Sequence, residues 1–448
     1  MNESDRTNGI RYKISRVIIR TLLVIPALLC GCGLRDRTAL MNESGSNGIV
    51  SEPFREDKQS DAHIDVVSDM EESDVIEDDE SNTRDYQGSE TGEREAEVPT
   101  DIIVEQTSAD DSLEESGYGY SKLSEREKVA YKEILCILHD VASDVEVSDT
   151  NPDVIERAFD CVLLDHPEVF YVSGYSINKY VLKDEIKKIE FTGTYTMNSE
   201  EVLRARDVVN AYVNNCLAGA PSGDDYSRIK YVYEYIVKNT EYNMAAENGQ
   251  NLYSVASTGR SVCQGYAKMM QMILNKMGIF CTLVNGDAND GSGTLTKHVW
   301  NLVKSDGKYY QVDVTWGDGS FIIIGDDDGQ YTASDITYDY LLVNDEMISD
   351  THRPEPVVEM PSCDSLDDNY YVREGLYLEE VTSEKLRQIF DMAYAQGMSS
   401  VTLKCADSTV YEALTDRLID KKEIFDYLTT TSIKYVEHPE RKYVMIYL

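Results

Sequence analysis

The stretch 297–319, KHVWNLVKSDGKYYQVDVTWGDG, decides the reading of this 448-residue chain. Two alternating runs flank Asp306-Gly307, a dipeptide that favours a two-residue hairpin turn because both turn positions take positive φ. With those two residues as the loop, Ser305 pairs with Lys308, Trp300 lies opposite Asp313, and His298 lies opposite Thr315. His298 and Asp313 are then diagonal neighbours on one face of an antiparallel ladder, within reach of each other's side chains. The opposite face reads Val299, Val303, Tyr310, Val312 and Val314, an apolar set that belongs in a core. The His298–Asp313 face is expected to look toward a helix or toward solvent. A one-residue slip would break the arrangement.

A third chemical group stands upstream, in SVCQGYA (261–267). After Cys263 the apolar positions Tyr266, Ala267, Met270, Ile273, Leu274 and Met277 form a 3.6-residue stripe that stops at Gly278. The spacing predicts an amphipathic helix with Cys263 at its first turn and Ser261 as its cap. Unpaired N–H groups and the positive end of the macrodipole favour a thiolate at such a place. Thiol, imidazole and carboxylate are the minimum set for covalent acyl transfer: a nucleophile, a base, and an acid that orients the base. An inert buried cysteine and a metal-ligand set are the alternatives. The spacing lacks the close ligand pairs of common zinc sites and supplies no fourth ligand, so no metal and no cofactor are expected. The chain's two tryptophans, Trp300 and Trp316, both fall in these motifs. They are expected to wall the site, although packing alone would explain them. The Cys263 backbone N–H is the expected oxyanion donor, with Tyr253 and Gln264 put forward as further oxyanion or substrate contacts.

Residues from about Tyr226 to His352 resemble the transglutaminase-like domain of the papain-like thiol-enzyme superfamily. Cys263 with Gln264, Gly265 and Tyr266, then His298 with Trp300 and Asn301, then Asp313 with Val314, Thr315 and Trp316 carry the likeness. YDYLLVNDEMISDTHRP (338–354) is similar to the closing segment of bacterial members. The resemblance implies an α+β fold in which a helix-borne cysteine packs on an antiparallel sheet, and a Cys263–His298–Asp313 triad. It leaves the reaction open, because the superfamily contains transglutaminases, peptidases, deamidating enzymes and inactive binding domains.

The rest of the chain divides by composition. Residues 1–32 read as a lipoprotein signal peptide: Arg6, Arg11, Lys13, Arg16 and Arg20 precede the short apolar run 21–29 and Leu29-Cys30-Gly31-Cys32. Leu-Cys-Gly-Cys resembles a bacterial lipobox with Cys32 as the lipidated residue. Residues 33–120 read as an acidic, disordered tether. Between Gly33 and Glu115 there are 26 Asp and Glu against 6 Lys and Arg, half of the chain's net charge of −40. Low apolar content with that charge density cannot offset the entropy of ordering. Residues 121–222 form an α+β lead-in, with a capping-box helix after Ser124, a Pro152-initiated helix, and strand-like runs at 169–172 and 187–195. Residues 223–360 are the catalytic domain, and 361–448 alternate as a small α/β appendage.

Cys136, Cys161, Cys216, Cys281, Cys363 and Cys405 are too scattered for a disulfide framework and are expected to be reduced. Among the histidines only His298 has motif context; His139, His166, His352 and His438 are expected to be structural or surface residues. Asp326-Asp327-Asp328 reads as a solvated charge run rather than a calcium loop. An acidic remainder disfavours nucleic acid as a partner. The expected function is an extracytoplasmic, membrane-anchored thiol acyltransferase acting on a protein or peptide. A cysteine peptidase or amidase on the same triad and a silent scaffold protein are the alternatives.

Overall fold

The computed structural model describes residues 13–21, 41–42, 117–289, 294–318, 336–429 and 432–448. The described residues belong to one compact unit, and the other unit, 44–109, lies outside them, as do Cys32 and Asp326–Asp328. The lead-in begins on helix α1 (Glu125–His139), capped by the reciprocal Ser124–Glu127 box that its sequence predicts. Helix α2 (Pro152–Asp165) carries proline in its first turn and takes its cap from Asn151. Helices α3 (Ser199–Ala218) and α4 (Asp225–Asn239) follow the strands of the lead-in.

Those strands form a sheet ordered β1–β3–β4–β2, from β1 (Lys13–Thr21), β2 (Val145–Val147), β3 (Val172–Leu182) and β4 (Glu185–Tyr195). The strand expected at 169–172 differs, because Pro167–Val169 make a 3-10 turn and pairing starts only at Val172. Lys183 and Asp184 close the β3–β4 hairpin with positive φ at both positions. Part of the expected leader, Lys13–Thr21, lies antiparallel along β3, and no described helix is long and apolar enough to cross a membrane.

The sheet that positions the site is antiparallel throughout and ordered β7–β6–β5–β8. Its strands are β5 (Cys281–Ala288), β6 (Thr296–Ser305), β7 (Lys308–Val312) and β8 (His352–Pro354). The β6–β7 register runs from Ser305↔Lys308 to Asn301↔Val312, as the Asp306-Gly307 turn requires, and both turn residues have positive φ. Two short helices, α5 (Leu252–Thr258) and α6 (Cys263–Lys276), precede the sheet. The apolar face predicted for the hairpin is the core face: Val303, Tyr310, Val312 and Val314 share one buried cluster with Met270, Ile273 and Leu274 of α6. Asn301, on the same face, donates its side-chain amide to the Ala267 carbonyl of α6 at 3.0 Å.

The appendage adds a third sheet from β9 (Tyr377–Leu378), β10 (Ser400–Cys405), β11 (Ser432–His438) and β12 (Tyr443–Tyr447) in the order β9–β10–β12–β11, with Met41–Asn42 on the outer edge of β11. The predicted helix over 384–395 spans Ser383–Ala395. None of the seven described cysteines is joined in a disulfide.

Strand β8 lies against β5 only because Gly286 has no side chain. A Cβ there would sit 2.2 Å from the Arg353 carbonyl oxygen and 2.7 Å from the Trp300 ring. Gly286→Ala is therefore expected to cost about 1–3 kcal/mol through overpacking, read as a lower urea midpoint. An unchanged midpoint would contradict this close approach.

Candidate active site

Cys263 is the first residue of α6, and its cap residue, Val262, makes no side-chain cap bond. Ser261 is not the cap. Its hydroxyl donates to the Gly249 carbonyl at 2.9 Å and accepts from the Ser254 hydroxyl at 2.7 Å, so the expected capping oxygen is already committed. The Gly265 and Tyr266 N–H groups return to the Val262 carbonyl, which leaves the N–H groups of Cys263 and Gln264 as the orphan donors of the helix start.

The face of the hairpin opposite α6 carries the other two groups. His298 Nε2 lies 2.6 Å from Asp313 Oδ2, the diagonal contact that the register demands. Although the body of α6 covers the other face, the Cys263 thiol at its tip comes close enough to His298 to favour its charged form. Asp313 occupies Nε2, so Nδ1 is the ring nitrogen left for the sulfur. Cys263 and His298 are only 7% and 8% exposed, and Asp313 is fully buried.

Electrostatics follow from this burial. Desolvation opposes a charged imidazole, but the Asp313 charge and hydrogen bond overcome it and raise His298 to about 10, with Cys263 adding in the same direction. Desolvation would likewise raise Asp313; the His298 charge and bond, then those of His352, hold it well below the ordinary carboxylate range. The carboxylate is saturated. Oδ1 accepts the Thr315 N–H at 2.9 Å and the Trp316 N–H at 3.2 Å, and Oδ2 accepts a second imidazole, His352 Nε2, at 3.0 Å.

The sequence assigned His352 to structure or surface, and the structure buries it beside Asp313. It is fully buried on β8, 39 residues beyond Asp313, and only strand pairing brings it there. Its single sequence signal was its place in the closing segment 338–354. The other expected contacts divide. Gln264 is buried immediately after Cys263, and the Trp316 ring stands 5.8 Å from His298. The Trp300 ring stacks 6.2 Å from His298, but its indole N–H is held by Gln311 Oε1 at 2.8 Å. Tyr253 stacks on Phe170 at 6.3 Å, and no described contact joins it to the three groups.

His298, Asp313 and His352 also place three donor atoms within 4.8 Å of one another, a clustering that a metal site would share. Ligands 2.0–2.1 Å from a tetrahedral ion stand roughly 3.3 Å apart. The 2.6 Å His298–Asp313 separation is a charge-assisted hydrogen bond, and both imidazole nitrogens aim at the same oxygen rather than at a shared centre.

The raised His298 stabilises the fold below its unfolded value of about 6.5, and that contribution fades as pH climbs through about 10. The depressed Asp313 stabilises above about 3.9 and loses its contribution as pH falls below that. In Asp313→Asn the buried imidazole has no charge to pair with. The gap in urea midpoint between wild type and Asp313→Asn should thus be widest between about pH 4 and 6.5 and narrow toward pH 10. A gap that stays constant over that range would contradict the ion pair.

Residues 210–314 match the transglutaminase-like superfamily, a span that contains Cys263, His298 and Asp313 and stops short of His352. Kyphoscoliosis peptidase of Mus musculus is 27% identical over 124 residues, 25% of this chain and 18% of that protein. The Homo sapiens protein is 28% identical over 108 residues, 21% of this chain and 16% of its own length. This chain thus spans less than a fifth of the curated relatives it matches. Among solved structures, a TGase aligns with 36% of this chain and 47% of its own at 15% identity and a TM-score of 0.24. A putative cysteine protease from Cytophaga hutchinsonii aligns over 32% and 58% at 12% identity and a TM-score of 0.21. Residues 210–314 are thus similar to the transglutaminase-like superfamily, and the buried thiol, imidazole and carboxylate lie inside that span.

Proposed function

We propose that this protein is an extracytoplasmic, lipid-anchored thiol acyltransferase whose Cys263–His298–Asp313 triad attacks a carboxamide or peptide carbonyl. The observation that carries the reading is the continuous line from the thiol at a helix N-terminus, through His298, to a saturated buried carboxylate. The thiolate adds to the carbonyl carbon, and the Cys263 N–H, an orphan donor of the helix start, takes the developing oxyanion. Collapse breaks the C–N bond, and the His298 imidazolium protonates the leaving ammonia or amine. An incoming amine or water then loses its proton to His298, attacks the thioester, and releases Cys263. Asp313 stays ionised and fixes the imidazole throughout. Gln264 and Trp316 flank the thiol and imidazole as substrate contacts, and Trp300 serves as a packed wall.

Hydrolysis on the same triad is the second reading, favoured by the similarity to kyphoscoliosis peptidase. Incubation with a glutamine-donor peptide and a primary amine separates the two: transfer gives ammonia together with amine incorporation, and hydrolysis gives ammonia or cleavage alone. Cys263→Ser should abolish either product while leaving the fold intact. His298→Ala should slow iodoacetamide alkylation of Cys263 at neutral pH, and Asp313→Ala should slow it less, since Asp313 acts through the ring. A Cys263 that alkylates only after denaturation would make it a structural cysteine and defeat the proposal.

The anchor is proposed from Leu29-Cys30-Gly31-Cys32 after the basic, apolar leader. Processing there leaves a mature chain that begins at Cys32 and lacks Lys13–Thr21. Intact mass of the membrane-fraction protein should show a lipidated Cys32 terminus, and Cys32→Ser should release the protein. Recovery of peptides from 13–21 in the mature protein would refute the anchor.

A further inference from the structure

One imidazole on Asp313 is enough for the chemistry just described, yet two are present, both buried and both aimed at Oδ2. We propose that His352 is a positioning residue for Cys263 chemistry: a neutral imidazole that donates to Oδ2 and fixes the carboxylate on His298. The inference rests on the triad reading above and adds a residue to it from outside the matched span 210–314.

The geometry gives His352 a defined proton. Its Nδ1 lies 2.8 Å from Thr351 Oγ1, and that hydroxyl stands 3.3 Å from the Tyr340 hydroxyl. With Nδ1 accepting from Thr351, the ring proton sits on Nε2 and points to Asp313. The ring is clamped by aromatic neighbours, with the Trp316 ring at 4.7 Å and the Trp300 ring at 4.8 Å. With both backbone N–H groups on Oδ1, every acceptor site of the carboxylate is filled and it cannot rotate away from His298.

Charge explains why the second ring must be neutral. A second imidazolium on Oδ2 would share the anion with His298 and weaken its hold on the reacting ring. Burial lowers His352 most strongly, and the His298 and Arg441 charges act the same way, against the pull of Asp313. Around this cluster stand His298 on β6, Asp313 after β7, Arg441 before β12 and Tyr340. Cys263 on α6 acts through His298, and Tyr233 on α4 senses Asp313. A neutral donor stabilises the carboxylate without competing for it. Loss of that donor leaves a lone pair of Oδ2 unfilled and the carboxylate free to turn, so the imidazolium that holds the thiolate is held less firmly.

The test uses the full chain and the rate of iodoacetamide capture at Cys263, read by mass spectrometry of its peptide from pH 4 to 9. In His352→Ala the acid limb should move up by about one pH unit, so that capture on that limb falls roughly tenfold while the plateau changes less than about twofold. His352→Gln, whose amide N–H can replace the donor, should stay within about threefold of wild type on that limb. Thr351→Val, which removes the hydroxyl behind Nδ1, should shift the limb in the same direction by less, and it carries the test if His352→Ala does not fold. A uniform loss at every pH, or an unmoved limb in all three variants, would overturn the proposal. Normal slowing by His298→Ala with no response at His352 or Thr351 would overturn this inference alone. A wild-type Cys263 no faster than the other cysteines would overturn the triad reading and this inference together.

Discussion

A fully buried carboxylate governs this structure. Leaving Asp313 ionised without water costs several kcal/mol unless its lone pairs are filled. All four are filled, by two imidazoles on Oδ2 and two backbone N–H groups on Oδ1. Each donor places a demand on a different part of the chain. β6 brings His298, and β8 must pair on the far side of β5 to bring His352. The backbone must also leave the ladder at Val312 so that Thr315 and Trp316 can fold back over the carboxylate. The stretch from Tyr340 to Val343 closes the same region. Tyr340 accepts the Asp313 N–H at 3.0 Å, and Val343 exchanges both backbone bonds with Gln311.

The thiol is held by a separate mechanism. α6 is anchored along one face of the sheet by apolar packing and by the Asn301 bond to Ala267, and only its first residue reaches the imidazole on the other face. The nucleophile's position is therefore set by a helix and a strand rather than by a loop, which holds a reactive geometry more rigidly. Because Val262 supplies no cap, the orphan N–H groups stay at the thiol instead of being spent on a side chain. Ser261 ties the preceding turn to the Gly249 carbonyl and the Ser254 hydroxyl through its own hydroxyl.

Local chemistry was legible wherever a short-range rule had no competitor. Ser124 with Glu127, Pro152 at its helix start, and Asp306 with Gly307 each specify their own geometry within a few residues. The hairpin register carried furthest, since a period of two and one fixed turn decide which side chains face each other over the whole ladder. The reading failed where a signal was weak or shared. Val172–Leu182 mixes polar and apolar residues, and its Lys183–Asp184 turn lacks glycine, so only its partner strand stood out. Ser261 had the right position for a cap, but tertiary acceptors outcompeted the helix for its hydroxyl. Tyr253 had suitable chemistry, yet its ring is drawn into packing on Phe170.

By itself the sequence determined the order thiol, imidazole, carboxylate, the helix start under Cys263, and the pairing that sets His298 beside Asp313. All three depend on interactions spanning a few residues or one turn. Tertiary structure alone decided that α6 covers the face opposite the site, that Asp313 is saturated, and that His352 is its fourth donor. The physical reason is that strand β8 pairs with β5 across more than sixty residues of chain, and its position depends on the missing side chain of Gly286 and the packing of Trp300. No periodicity or turn rule reaches that far along a sequence.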